Sequence, residues 1–178
     1  MLTDKLLELP ALVLDLAEAQ RRTEQRVDTL AATLQELKTT VNHFQQTFGA
    51  TLEEEAASVL EAVMREKGFR ALAPETTLAV DGEIDVLMLF AGPAGRRIWA
   101  LVETEARLNQ RDVRAWIQQA RDAAWQQRLA ERGVSGVCYL YFYAIRVDKG
   151  ALELISAEGV GLLKSEGEVI APQGWIEL

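Results

Sequence analysis

The feature that most restricts this chain is a seam of apolar residues spaced alternately by four and three across its first 48 positions. Leu2, Leu6, Leu9, Val13 and Leu16 lead to Gln20 and Thr23; Val27, Leu30, Leu34, Leu37, Val41, Phe44 and Phe48 follow. A helix packed on a globular core uses a wider stripe of period 3.6, whereas a seam this narrow and sustained specifies a coiled coil. The polar Gln20/Thr23 layer costs stability and fixes register. Pro10 marks a helix start or kink, so the continuous part is expected to begin there. About 38 residues rising about 1.5 Å each make a rod of about 57 Å. A rod of that length cannot bury its seam alone. Self-association into a homodimer or higher assembly is the expectation, and a helix folded back on its own domain is the alternative.

Two domains are therefore expected, a coiled-coil helix over 1–48 and an α/β domain over 49–178. Gly49 is read as the end of the rod. Thr51 caps a second helix with Glu54 at the capping-box position, and Leu52, Ala56, Val59, Leu60, Val63 and Met64 form its apolar face. A short strand over 75–80, a strand IDVLMLF from Ile84, the loop AGPAGRR and a strand IWALVETEA from Ile98 come next. Asn109 then caps one helix running to about Glu131, with Asp112 at its third position, and Gly133 stops it. GVCYLYFYAI reads as a buried strand, paired with ALELIS across Asp148-Lys149-Gly150.

Residue usage narrows the chemistry. Cys138 and His43 are single representatives of their types, which excludes disulfides and cysteine-based zinc sites and argues against histidine-rich metal centres, a zinc protease and a catalytic triad. No apolar run approaches the roughly 20 residues of a membrane span. The N-terminus lacks the basic region and cleavage site of a signal peptide, so a cytoplasmic protein is expected, with no membrane contact. A net charge of −8 argues against indiscriminate nucleic-acid binding.

Three acids sit where sheet physics disfavours them. Asp85 lies inside IDVLMLF, and Glu103 and Glu105 end an apolar strand, on one side of it because strand residues alternate faces. A hairpin centred near Ala94 sets Asp85 opposite Glu103, about 5 Å away. Clustered carboxylates raise one another's pKa unless a cation intervenes. Oxygen-only ligation by Asp85 and Glu103 suits Mg²⁺ or Mn²⁺. The same acids can instead lie at an exposed strand edge or pair with Arg96, Arg97 or Arg107.

An acidic helix, then G-E-I-D-V-L, then W-A-L-V-E-T-E-A-R-L, then an arginine-rich helix resembles the PD-(D/E)XK, or restriction-endonuclease-like, nuclease superfamily. More narrowly, it resembles prokaryotic members that carry an N-terminal coiled coil. The resemblance covers roughly residues 50–145. It implies a mixed sheet flanked by helices, with Asp85 and Glu103 as metal ligands and the helical glutamate within the Glu53-Glu54-Glu55 cluster, where Glu55 is preferred and Glu53 also flanks the apolar face. The superfamily's lysine position falls on Glu105, a departure that some restriction-type relatives share as an E-x-E pair, the second glutamate serving as base or further ligand. Arg107, on the same strand face, is then the available source of positive charge. The implied function is Mg²⁺-dependent DNA cleavage by a coiled-coil dimer; superfamily members that lost activity imply the alternative, an inactive nuclease fold used as an interaction module.

DNA, as partner of so acidic a chain, needs a local cationic surface. Arg111, Arg114, Arg121, Arg128 and Arg132 of the helix after Asn109 fall within about 100° of one another, a row about 30 Å long that can follow phosphates. Trp125 falls within that sector, placed either to pack under the guanidiniums or to stack on a base. The alternative is a solvated face whose arginines pair with Asp112, Asp122 and Glu131.

Overall fold

The computed structural model describes the backbone of residues 2–79, 83–173 and 175–178. Within these it describes side chains from residue 13 onward, except at 45, 46, 83, 94 and 175. The chain divides into two compact units, Met1–Thr47 and Phe48–Leu178.

One helix, α1 (Leu2–Glu66), runs through both Pro10 and Gly49. The expected break at Gly49 is absent, and Thr51 is helix interior rather than a cap. Gly49 keeps a negative φ and the helix continues on both sides of it, so the roughly 1 kcal/mol cost of an interior glycine is outweighed. The seam positions Leu2, Leu6 and Leu9 have side chains outside the described residues. Val13, Leu16, Val27, Leu30, Leu34, Leu37 and Phe44 are each more than half exposed.

This continuity makes a prediction. A β-carbon at Gly49 meets only Glu53 Oε1, at 3.8 Å, so Gly49→Ala should raise stability by about 0.5–1 kcal/mol. At fixed protein concentration that is a gain of about 2 °C in Tm. A helix that ended at Gly49 in a left-handed cap would lose stability instead.

The second unit is an eight-stranded mixed sheet with helices on both faces. Strands β1 (Arg70–Ala71) and β2 (Thr76–Ala79) lie in succession along one edge of β3 (Glu83–Ala91). Val80, the expected end of β2, is outside the described residues. A 3₁₀ turn at Pro93–Gly95 leads into β4 (Arg97–Leu108), antiparallel to β3. The pairing Val86↔Val102 and Phe90↔Ile98 is centred on residue 94, as the sequence indicated. The expected single helix is two, α2 (Gln110–Ala120) and α3 (Ala123–Glu131). Asp122 accepts the Trp125 N–H at 2.8 Å and so starts a new helix at the point where the first ends. β5 (Val137–Val147) then runs parallel to β4.

ALELIS is helical rather than a strand, within α4 (Lys149–Glu158). Ala151 and Ile155 are the buried positions, an i, i+4 pair that fits helical periodicity, and Gly159 ends the helix with φ of 70°. β6 (Gly161–Lys164) is parallel to β5, β7 (Gly167–Ile170) is antiparallel to β6, and β8 (Trp175–Glu177) covers the start of β5. Gly161 is required where it stands: a β-carbon there would enter the Tyr141 ring on the adjacent strand.

Two apolar layers sandwich the sheet. Leu52, Ala56, Leu60 and Met64 of α1 pack on Val86, Met88, Phe90, Ala100, Val102, Tyr141 and Tyr143. Residues of α2, α3 and α4 pack on Leu87, Leu101, Leu140, Phe142 and Ala144 on the other face. Among the described residues no helix is long and apolar enough to cross a membrane.

Candidate active site

β4, β5 and β6 point the same way, each leading or led into by a helix, and in open sheets of this kind ligands bind beyond the carboxyl ends of the parallel strands. Glu103 and Glu105 lie at that end of β4, just before the Asn109 cap of α2. The antiparallel β3 begins there, so Asp85 is brought to the same end.

How Asp85 is presented depends on an irregularity in β3. Between the pairs Thr76↔Leu87 and Leu78↔Ile84, β2 advances two residues and β3 three. That is a bulge in β3 around Asp85. It explains why Ile84 and Val86, two apart, are buried in opposite layers. Thr77 Oγ1 donates to the Asp85 carbonyl at 3.2 Å from the β2 side.

The β3–β4 pairing stops at Val86↔Val102, one pair short of Asp85 facing Glu103. Beyond it Asp85 Oδ2 accepts from Thr104 N at 2.7 Å and Thr104 Oγ1 at 2.8 Å. The carboxylate stands in for the strand carbonyl that the bulge withdraws, and ties the two strands together where they part.

Glu103 and Glu105 share the face of Leu101, toward α2–α4; Thr104 shares the face of Val102, toward α1. Asp85, Glu103, Glu105 and Asp112 are each half-buried. Burial first, then the negative charges of Asp112 and Asp85, push the Glu105 carboxyl above its ordinary pKa. Asp112 is there because it closes the capping box of α2, its carboxylate accepting from Asn109 N at 3.4 Å.

The Glu105 shift has a testable consequence for stability. A carboxyl that holds its proton more tightly when folded contributes stability at low pH, and that contribution is lost as pH rises from its unfolded pKa through its raised folded one. Glu105→Gln should therefore match wild type in acid and exceed it at neutral pH. The expected gain is about 1–3 °C in Tm, since solvent screens a half-exposed group. Thermal melts from pH 4 to 8 read it directly, and an unchanged pH profile would contradict the electrostatic assignment.

Glu55 is not brought to these acids. It projects from α1 over the opposite face of the sheet, where it accepts a hydrogen bond from the Tyr143 hydroxyl. Burial, that bond and the charges of Glu55 and Glu166 push the phenol up to about 12. Tyr143 is the lateral neighbour of Thr104. Neither Thr104, Tyr143 nor Asp112 in its charge-repelling role was visible to the sequence reading, because each depends on strand pairing or on the return of α2.

The arginines separate. Arg107 does not supply charge to the acids: its Nε and Nη2 donate to Asp148 Oδ1 at 3.2 and 3.0 Å. Arg96 Nη2 reaches Tyr139 Oη at 3.3 Å, so it is not drawn to the acids either. The continuous row expected over Arg111, Arg114, Arg121, Arg128 and Arg132 is broken by the α2–α3 elbow. Arg111 and Arg114 lie exposed on α2, Arg121 caps α2 and pairs with Glu158 at 2.6 Å, Arg128 is half-buried, and Arg132 caps α3. Trp125 is buried and packs beneath the guanidinium-bearing side chains as the floor of their groove. Arg114, Arg121 and Arg128 instead line one groove of about 850 Å³ along with Leu154 and Glu158.

By kind, Asp85, Glu103 and Glu105 are hard oxygen donors, and the unbalanced negative charge around Glu105 favours a cation. By position they stop short. Among the described residues no three His, Cys, Asp or Glu side chains are grouped so as to hold a metal ion, and one oxygen of Asp85 already serves Thr104. No family model, no curated protein and no solved structure matches the chain.

Proposed function

We propose that residues 48–178 are a restriction-endonuclease-like domain that hydrolyses DNA phosphodiesters with Mg²⁺ or Mn²⁺, working in the cytoplasm as a coiled-coil dimer. The observation that carries this reading is that Asp85 lies close enough to Glu105 for its charge to act on it where β3 leaves β4, with Glu103 on the same strand face as Glu105. Asp85 and Glu103 would hold the cation, which when bound polarises a phosphate and acidifies water. Glu105, whose proton affinity its neighbours raise, is suited to take a proton from an attacking water. Arg111 and Arg114, exposed at the start of α2, offer charge to the DNA backbone. Glu55 supports the site from the far face through Tyr143.

A second reading is favoured by one specific contact. Asp85 spends Oδ2 on Thr104 and glutamate fills the lysine position. Both suit a nuclease fold that serves as an interaction module assembled by its coiled coil.

Melting the protein with and without 5–10 mM Mg²⁺ or Mn²⁺ (about a hundred times a typical weak-site Kd is worth roughly 2.7 kcal/mol), alongside cleavage of plasmid and linear DNA, tests the proposal. Cation-dependent stabilisation and cutting, both lost in Glu103→Ala, are expected. Cutting by Glu103→Ala at the wild-type rate, or no effect of either metal on Tm, would leave only the module.

A further inference from the structure

In heptad terms α1 places Val13, Gln20, Val27, Leu34, Val41 and Phe48 at position a, and Leu16, Thr23, Leu30, Leu37 and Phe44 at position d. Valine at a with leucine at d is the combination that favours two parallel strands, because each side chain then meets its hole in a relaxed rotamer. We infer that residues 13–48 zip in register and in parallel with a second copy of this chain to form a two-stranded coil. The inference deepens the coiled-coil part of the reading above and is independent of its chemistry.

Three observations commit the seam to that occupant. The first is extent: 36 residues make about five heptads, where three to four already mark a coiled coil, and their apolar side chains are exposed along the whole length. The second is the polar layer. In a parallel, in-register pair Gln20 meets Gln20 and Thr23 meets Thr23 of the second copy. An antiparallel pair that matches the polar layers sets each Gln20 against a Thr23 instead of like against like. One that overlaps the seam from 2 to 48 sets Gln20 against Leu30 and Thr23 against Val27, twice over. The polar pair also reaches the seam with its own donors engaged, since Gln20 Nε2 donates to Glu24 at 3.1 Å and Thr23 Oγ1 to the Ala19 carbonyl at 2.9 Å.

The third observation is on the flanks. Parallel strands face position g with the e position five residues on, which here pairs Ala19 with Glu24, Arg26 with Ala31 and Thr33 with Lys38. No like charges oppose. Thr33, Thr40 and Thr47, all at g, turn their hydroxyls onto carbonyls of their own helix and so flank the seam with methyl groups.

Sedimentation of the full-length protein, combined with thiol cross-linking, tests the arrangement. Cys138 is buried and does not compete. Leu30→Cys is expected to sediment as two chains and to form its 30–30 disulfide about a thousandfold faster than an unassociated thiol at micromolar concentration, the ratio set by a millimolar effective concentration. Leu37→Cys repeats the measurement at an independent layer. Three or four chains, a dimer in which neither variant cross-links, or preferential disulfides between Val13→Cys and Leu30→Cys chains or between Gln20→Cys and Leu30→Cys chains would overturn parallel pairing alone. A monomer would overturn self-association as well.

Discussion

Trp125→Ala should lower the melting temperature by about 10–15 °C. Trp125 is among the largest fully buried side chains. Its ring stands edge-on to Trp116, with centroids 5.7 Å apart and planes at 83°, a geometry that aligns the positive edge of one ring with the negative face of the other. Truncating a buried tryptophan costs about 3–5 kcal/mol in lost transfer energy and residual cavity, and a chain of this size loses about 2–4 °C per kcal/mol. Because Trp125 also floors the groove between Arg114, Arg121 and Arg128, the cavity opens to solvent instead of collapsing. The Asp122 cap binds the Trp125 backbone N–H, so it survives the substitution and α3 persists. Trp125→Phe keeps most of the packing and should lose less than half as much. Equal losses in the two variants, read from denaturant midpoints and Tm together, would mean that Trp125 is not the keystone of the elbow.

That elbow is a fair measure of what the sequence made legible. Val113, Trp116, Ile117 and Ala120 have helical spacing, and Asn109 with Asp112 is a readable capping box; both are found as expected. What hid the break after Ala120 is that arginine has high helix propensity, and a capping aspartate in a charged stretch looks like any other surface acid. Once Asp122 caps α3, the helical phase resets and Trp125 enters the core beneath the groove that Arg114, Arg121 and Arg128 line. Propensity misled at Gly49 too, where a residue that commonly ends helices sits inside one. α4 was misread for another reason: Ala151, Leu154 and Ile155 satisfy a strand's demand for apolar residues as well as a helix's, and six residues are too few to separate the periods.

The site was legible to the extent that pairing is arithmetic. A hairpin centred on residue 94 follows from loop length, and the observed ladder has that centre. The bulge in β3 is not written in residue types: Ile84, Asp85 and Val86 alternate as a regular strand would. Only the partner strand β2, stepping two residues against three, requires it. Asp85 consequently meets Thr104 where Glu103 was expected, and Asp112, read purely as a cap, becomes the nearest large influence on Glu105 after burial itself.

Asp85 thus holds two possible duties, clamp and ligand, and a pair of substitutions separates them. Asp85→Ala removes the acceptor of two short hydrogen bonds and strands the Thr104 N–H where no ladder partner replaces it. Hydrogen bonds to a charged acceptor are worth about 1.5–3 kcal/mol, so a fall of about 5–8 °C is expected. Asp85→Asn keeps an oxygen that can accept from both Thr104 donors and removes the charge that repels Glu105; its Tm should fall within about 2 °C of wild type. If Asp85 is a metal ligand, the asparagine variant folds normally yet loses any Mg²⁺- or Mn²⁺-dependent stabilisation and any DNA cleavage, because a neutral amide is a poor substitute for a carboxylate on a hard cation. If Asp85 is a clamp alone, asparagine behaves as wild type in every assay and only alanine is impaired. Cation-dependent melts of the two variants side by side therefore distinguish a cation-binding carboxylate from a structural clamp.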